Sequence, residues 1–161
     1  MIIRHVGQGW DVHRLGEGDR LRLGGVNIPF SKALVGHSDA DVLCHAVIDA
    51  VLGGAKLGDI GRLFPDTEDV FRNADSLLLL EEVIVLLTAG GWRVVNVDAT
   101  ILAEKPKLAP YITSMEGNLA QAIGMPERCV SVKAKTAEGL GDVGQGRCIQ
   151  ALAVAMLERE E

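Results

Sequence analysis

With 161 residues the chain suits one domain, here 1–161, that buries roughly 70% of the surface its unfolded form exposes. Hydrophobic residues make up 48%, charged residues 24% and aromatics only 4%, so an ordinary globular core must be built from Leu, Val, Ile and Ala. The net charge of −6 argues against a general nucleic-acid surface, although a metal or a few lysines can still dominate the local field around an anionic substrate.

The first segment, to about Leu15, carries β-branched residues and ends on an Asp-x-His pair; its opening, Met1 to Val6, lacks the apolar core of a signal peptide. Residues 21–30 set Gly24-Gly25 between short apolar stretches and read as a hairpin. Residues 38–55 read as a helix, with Ser38 as N-cap, Asp41 completing a capping box in place of Glu, and Gly53-Gly54 marking the end. A glycine- and proline-bearing loop follows over 59–67, then a second helix over 74–89 closed by Gly90-Gly91.

Residues 92–103 alternate β-formers with polar residues and read as a strand. A third helix is predicted over 110–123, a strand over 130–135 and a glycine-rich turn over 138–146. Residues 149–157 stay open between two readings: alanine and leucine favour helix by propensity, whereas the alternation fits a buried strand. This order of elements gives an α+β fold, a mixed β-sheet covered on one face by helices. The longest apolar run, 83–89, is far too short to span a bilayer. Cys44, Cys129 and Cys148 are odd in number and form no C-x-x-C, so a disulfide framework and a thiolate zinc knuckle are both disfavoured, and a reducing, cytoplasmic setting is expected.

Four constellations carry chemistry. Asp11 and His13, two apart in a strand, point to one face and can reach one ion, with His45 of the first helix as a third ligand. Two imidazoles and a carboxylate suit zinc and leave a fourth position open to substrate. Taken alone, Asp-x-His is a common pair and a helical His is more often an interior residue. Asp49, one turn after His45, is either an acceptor that orients the His45 ring or a solvated carboxylate.

The second constellation sets His37 and Ser38 where the first helix begins, a place that attracts phosphate; plain capping by Ser38 is compatible with it. The third, residues 58–67, puts Asp59 and Asp66 in a tight loop able to accept from hydroxyls, although turn chemistry also favours Asp and Gly there. The fourth joins residues 103–108 to 133–138. There, lysines supply point charge, Thr136 can donate to a phosphoryl oxygen, and Glu138 can hold a hard divalent cation, against the simpler reading of a solvated loop.

Together and in this order, Gly9-Trp10-Asp11-Val12-His13-Arg14-Leu15, Gly36-His37-Ser38-Asp39-Ala40-Asp41, Gly58-Asp59-Ile60-Gly61, Phe64-Pro65-Asp66-Thr67, Pro106-Lys107 and Lys133-Ala134-Lys135-Thr136 resemble the 2-C-methyl-D-erythritol 2,4-cyclodiphosphate synthase family across essentially the whole chain. The resemblance implies homotrimers with active sites between neighbouring subunits. It also implies cyclisation of 4-diphosphocytidyl-2-C-methyl-D-erythritol 2-phosphate with release of CMP, in the non-mevalonate isoprenoid pathway. It puts Asp11, His13 and His45 on zinc-ligand positions, His37 and Ser38 on the substrate-phosphate motif, and Asp59, Gly61, Phe64 and Asp66 on the methylerythritol loop. Ala103, Pro106, Lys107 and Leu108 match the cytidine pocket, and Lys135, Thr136 and Glu138 match the stretch over the CDP part, with a second cation, Mg²⁺ or Mn²⁺, at Glu138. His37 and Thr136 fall on positions assigned to transition-state stabilisation.

The chain departs from the family pattern at Lys135 and Ala137, where threonine is usual, and at Asp142, Gln145 and Arg147, which replace Phe, Arg and Glu. That last stretch helps line an axial cavity that can bind isoprenoid diphosphates in the family, and its residues differ here. Two other readings remain at this stage: a non-catalytic zinc- or nucleotide-binding trimer, and a zinc phosphoesterase.

Overall fold

The computed structural model describes residues 1–65, 67, 68 and 71–161. Its frame is a five-stranded sheet in the order β4-β1-β7-β5-β6. The strands are β1 (Ile2–Gly16), β4 (Ala33–Val35), β5 (Arg93–Leu102), β6 (Val130–Lys135) and β7 (Cys148–Glu160). β1 and β7 pair antiparallel from Ile2↔Glu160 to Arg14↔Cys148, and β5 pairs antiparallel with β7 and parallel with β6, so the sheet is mixed. A separate hairpin, β2 (Arg20–Leu23) and β3 (Val26–Pro29), turns through Gly24 and Gly25. Both glycines have positive φ, 54° and 71°, which a side chain would strain. The helices are α1 (Val42–Ala55), α2 (Ile60–Leu63), α3 (Ser76–Ala89), α4 (Ile112–Ile123) and α5 (Gly141–Gly144).

Residues 149–157 are strand, inside β7. β7 lies between β1 and β5, so both of its edges satisfy ladder hydrogen bonds, and that outweighs the helix propensity of its alanines. Ala151, Ala153, Ala155 and Leu157 are buried on the helix-covered side. Gln150, Leu152, Val154 and Met156 alternate to the other side, where β1 also exposes Val6, Trp10 and Val12.

The first helix starts four residues later than the sequence suggests. Its N-cap is Asp41, whose carboxylate accepts from Cys44 N at 3.0 Å, and not Ser38. The same carboxylate accepts from Gly24 N and Gly25 N at 2.9 and 2.7 Å, which ties the hairpin to the helix. Gly53 and Gly54 lie inside the last turn; the left-handed closing residue is Lys56, with φ 62°. Almost every side chain of α1 is buried, as expected of a helix covered on all sides. Its close approach to β1 requires glycine there: a Cβ on Gly7 would stand 1.8 Å from Ala50 O, and one on Gly9 1.9 Å from Ala46 O. The loop at 59–67 contains the single-turn helix α2, and the turn at 138–146 contains α5.

Candidate active site

β1 directs Asp11 and His13 toward its covered face, and α1 delivers His45 against them. Asp11 Oδ2 lies 2.9 Å from His13 Nε2 and 3.0 Å from His45 Nδ1, and the two ring nitrogens are 3.0 Å apart. His13 Nδ1 donates to the Val35 carbonyl at 2.9 Å; a carbonyl only accepts, so in the neutral ring Nε2 turns a lone pair on the cluster. His45 Nε2 lies 3.0 Å from Ser38 Oγ and 2.9 Å from Ser76 Oγ. The cluster forms one wall of a cavity of about 380 Å³ whose rim includes His37, Ser38, Gly61, Phe64 and Thr67.

Burial works to raise the Asp11 carboxyl, but hydrogen bonds and charge from His13 and His45 in their protonated, metal-free form outweigh it and hold it well below the usual carboxylate range. Burial likewise works to lower His13, and its partner Asp11 reverses the sign, so His13 is raised above 6.5. Two nitrogens and one carboxylate oxygen converging at this spacing suit a divalent metal ion: ligand atoms about 2.0–2.2 Å from one tetrahedral ion sit about 3.3–3.6 Å apart, a small opening from the distances seen.

His37 stands on the same cavity, its Nε2 donating to the Glu68 carbonyl at 3.2 Å. Gly61 and Phe64 line it as well. Asp59 does not line it; its carboxylate caps α2 by accepting from Arg62 N at 2.9 Å. Asp66 falls outside the described residues. The hydrogen bond of Asp49 goes not to the His45 ring but to the backbone: its carboxylate accepts from Ile60 N at 2.7 Å, which anchors the loop ahead of α2.

A second cavity of about 270 Å³ sits at the ends of β5 and β6 and the start of α4, lined by Ala103, Pro106, Lys107, Leu108, Lys135 and Thr136 among others. Glu138 is not on its lining but accepts a hydrogen bond from Thr136 Oγ1, with its own backbone left-handed at φ 52°. The two cavities share no lining residue. β7 and β5 separate β1 from β6, which makes three strand spacings, about 14 Å, between their edges. Asp142 and Arg147 pair with each other at 3.0 Å on the exposed turn.

Sequence reasoning missed three residues that hold this site. Ser76 and Asp39 lie behind His45: Ser76 N donates to Asp39 Oδ2 at 3.0 Å and Ser76 Oγ donates to Asp39 Oδ1. Asp39 belonged to a recognised motif, whereas Ser76 looked like part of an ordinary helix start. Glu104 accepts from Ala137 N at 3.2 Å and Gly139 N at 3.5 Å, and so fixes the turn that carries Thr136 and Glu138.

Comparison with known proteins agrees with this geometry. The 2-C-methyl-D-erythritol 2,4-cyclodiphosphate synthase of Laribacter hongkongensis is 55% identical over 153 residues, 95% of this chain and 94% of that protein. The bifunctional IspDF from Campylobacter jejuni superposes with a TM-score of 0.96 at 38% identity; the alignment covers all of this chain but only 44% of that one. IspF of Plasmodium falciparum, solved as a CDP complex, superposes with a TM-score of 0.85 at 30% identity, covering 98% of this chain and 97% of that one. A family match over residues 4–158 takes in the five strands of the large sheet, short of the outer ends of β1 and β7, together with Asp11, His13 and His45, and on it the chain belongs to the YgbB family.

Proposed function

We infer that this chain converts 4-diphosphocytidyl-2-C-methyl-D-erythritol 2-phosphate to 2-C-methyl-D-erythritol 2,4-cyclodiphosphate and CMP, the activity named for its relatives. The observation that carries the reading is the Asp11–His13–His45 cluster on the wall of a cavity rimmed by His37 and Ser38. Residues 1–161 act as one such domain, working as a lyase in the non-mevalonate isoprenoid pathway. Zinc is the ion for Asp11, His13 and His45, and it would supply a Lewis-acid charge beside the β-phosphate.

The reaction is an intramolecular phosphoryl transfer. The substrate's own 2-phosphate attacks the β-phosphorus, and CMP leaves. The nucleophile is already an anion, so the protein needs no side-chain nucleophile; it must fold the substrate so that attacking and leaving oxygens lie in line. Ser38 and His37 would donate to the phosphates from the cavity rim, and Gly61 and Phe64, with Asp59 and Asp66 of the same loop, would hold the methylerythritol. The second cavity would take the cytidine through Ala103, Pro106, Lys107 and Leu108, with Lys135 adding charge near the phosphates. Thr136 would donate to the developing phosphoryl charge, and Glu138 would hold Mg²⁺ or Mn²⁺ over the diphosphate.

The active assembly is a homotrimer in which the metal cavity of one subunit faces the nucleotide cavity of the next. Two cavities set apart on one sheet, each about the size of part of the substrate, support that division. The apolar residues on the uncovered face of the sheet, Val6 at 67% and Trp10 at 52% exposure, supply a surface for it. Among the described residues no helix is long and apolar enough to cross a membrane, and the free thiols of Cys44, Cys129 and Cys148 suit the cytoplasm.

Phosphorus NMR of the zinc-loaded protein with substrate and Mg²⁺ tests the reading. A cyclic diphosphate appearing together with CMP is the expected result; CMP with a linear product would mean hydrolysis instead. His45→Ala is expected to lose both bound zinc and CMP release, and a fully active His45→Ala protein would sink the assignment.

A further inference from the structure

We propose that Ser76 and Asp39 are positioning residues for His45, holding its ring so that the Nδ1 lone pair faces Asp11 and His13, while Ser38 is the hydroxyl left free for substrate. The proposal rests on the zinc reading of the cluster.

The argument follows protons along a chain of hydrogen bonds. Asp39 is a carboxylate beside the Arg22 guanidinium, whose Nε donates to Asp39 Oδ2 at 3.0 Å, and Arg22 is braced in turn by Asp75 Oδ2 at 2.8 Å. An ionised carboxylate only accepts. Ser76 Oγ has one proton, and it is donated to Asp39 Oδ1. Toward His45 Nε2, 2.9 Å away, the same oxygen can then only accept, so this contact is a hydrogen bond only when Nε2 carries the hydrogen, and Ser38 Oγ at 3.0 Å can accept from it as well. A neutral imidazole has one N–H, which leaves Nδ1 as a lone pair 3.0 Å from Asp11 Oδ2 and from His13 Nε2. The other tautomer could accept from Ser38 Oγ alone and would set its Nε2 lone pair 2.9 Å from a Ser76 oxygen with no proton to give.

Two hydroxyls compete for that single N–H, and their surroundings differ. Ser76 is fully buried at the start of α3, with both its N–H and its O–H committed to Asp39, and it does not line the cavity. Ser38 lies on the cavity wall beside His37. Its hydroxyl can turn to a phosphate without releasing the His45 ring, because Ser76 keeps the N–H. The structure therefore divides two tasks between two serines on one nitrogen: Ser76 sets the metal, Ser38 meets the substrate.

The test is zinc affinity by competition with a chromophoric chelator on the full chain, together with the visible spectrum of the Co²⁺-substituted protein. Ser76→Ala is expected to weaken zinc binding by about 10–100-fold and to shift the Co²⁺ absorption bands. Asp39→Asn, which keeps the side-chain volume, is expected to weaken it in the same direction and serves should Ser76→Ala not fold. Ser38→Ala is expected to hold zinc within about threefold of the parent while raising the substrate KM, since its contact with the ring is the dispensable one. A folded Ser76→Ala or Asp39→Asn protein with parental zinc affinity and Co²⁺ spectrum overturns the positioning role and leaves the metal site standing. A parent chain that takes up no zinc overturns the metal reading and the positioning role with it.

Discussion

The Asp11–His13–His45 cluster holds protons, and a divalent cation bound there would compete with them at His13. In the metal-free protein its pKa lies above the unfolded value of 6.5, so the Asp11–His13 pair contributes stability that is fully present below 6.5 and is lost as pH rises through the higher folded value. Asp11 has the opposite sign: its folded pKa lies below 3.8, so its contribution is present above 3.8 and is lost only as pH falls through that lower value. Bound zinc, the ion proposed for this cluster, would reverse the upper trend. It needs His13 without its proton, so zinc affinity is expected to rise about tenfold per pH unit until the pH passes the His13 pKa, and then to level off. Thermal melts between about pH 6 and pH 9, one series with chelator and one with excess zinc, should therefore diverge as pH increases. Parallel curves would mean that zinc does not bind through His13.

At the scale of elements, the site depends on how closely one helix approaches one strand. His45 meets Asp11 only because α1 lies against backbone at Gly7 and Gly9, where a Cβ would fall inside 2 Å of a helix carbonyl. Gly9→Ala places its methyl against Ala46 O, next to His45, and the helix must lift or the strand must bend. The expected cost is about 3 kcal/mol, at the upper end for overpacking because the obstacle is backbone, with weakened zinc binding alongside. Urea unfolding and a zinc titration on the same preparation would check both. Asp41 is the complementary restraint: burial raises its carboxyl even as three backbone N–H groups donate to it, and those bonds hold the hairpin turn on the helix start.

For the whole molecule, the uncovered face of the sheet is the surface on which the proposed trimer would assemble. Val6, Trp10, Val12 and Val154 are exposed there, while Asp11, His13 and His45 sit on the opposite face. If the proposed homotrimer packs through this face, Val6→Asp combined with Val154→Asp is expected to give a monomer by sedimentation equilibrium, because a carboxylate buried at that interface would lack a partner. That monomer should still bind zinc, since its cluster is internal to one chain, but it should release little CMP if each active site spans two subunits. A doubly substituted protein that stays trimeric would show that the face is not the interface.

The sequence by itself determined most of the elements and singled out Asp11 and His13 as a candidate metal pair, and the reason is short-range geometry. Asp11 and His13 share a strand face whatever the tertiary structure, and turn glycines, caps and β-branched runs act over a few residues. The ligand set became legible as a whole only through the resemblance of its ordered motifs, since His45 is 32 residues from His13 and no periodicity links them. Tertiary structure decided the rest. It made 149–157 a strand, because the ladders on both edges outweigh alanine's helix propensity. It moved the helix cap from Ser38 to Asp41, because Asp41 also satisfies the hairpin amides. It gave Asp49 to Ile60 N and gave His45 to Ser76 and Ser38. Each of these outcomes turns on a polar group choosing among partners far away in the chain, and a buried hydrogen bond is settled by which donor and acceptor the packing brings within 3 Å.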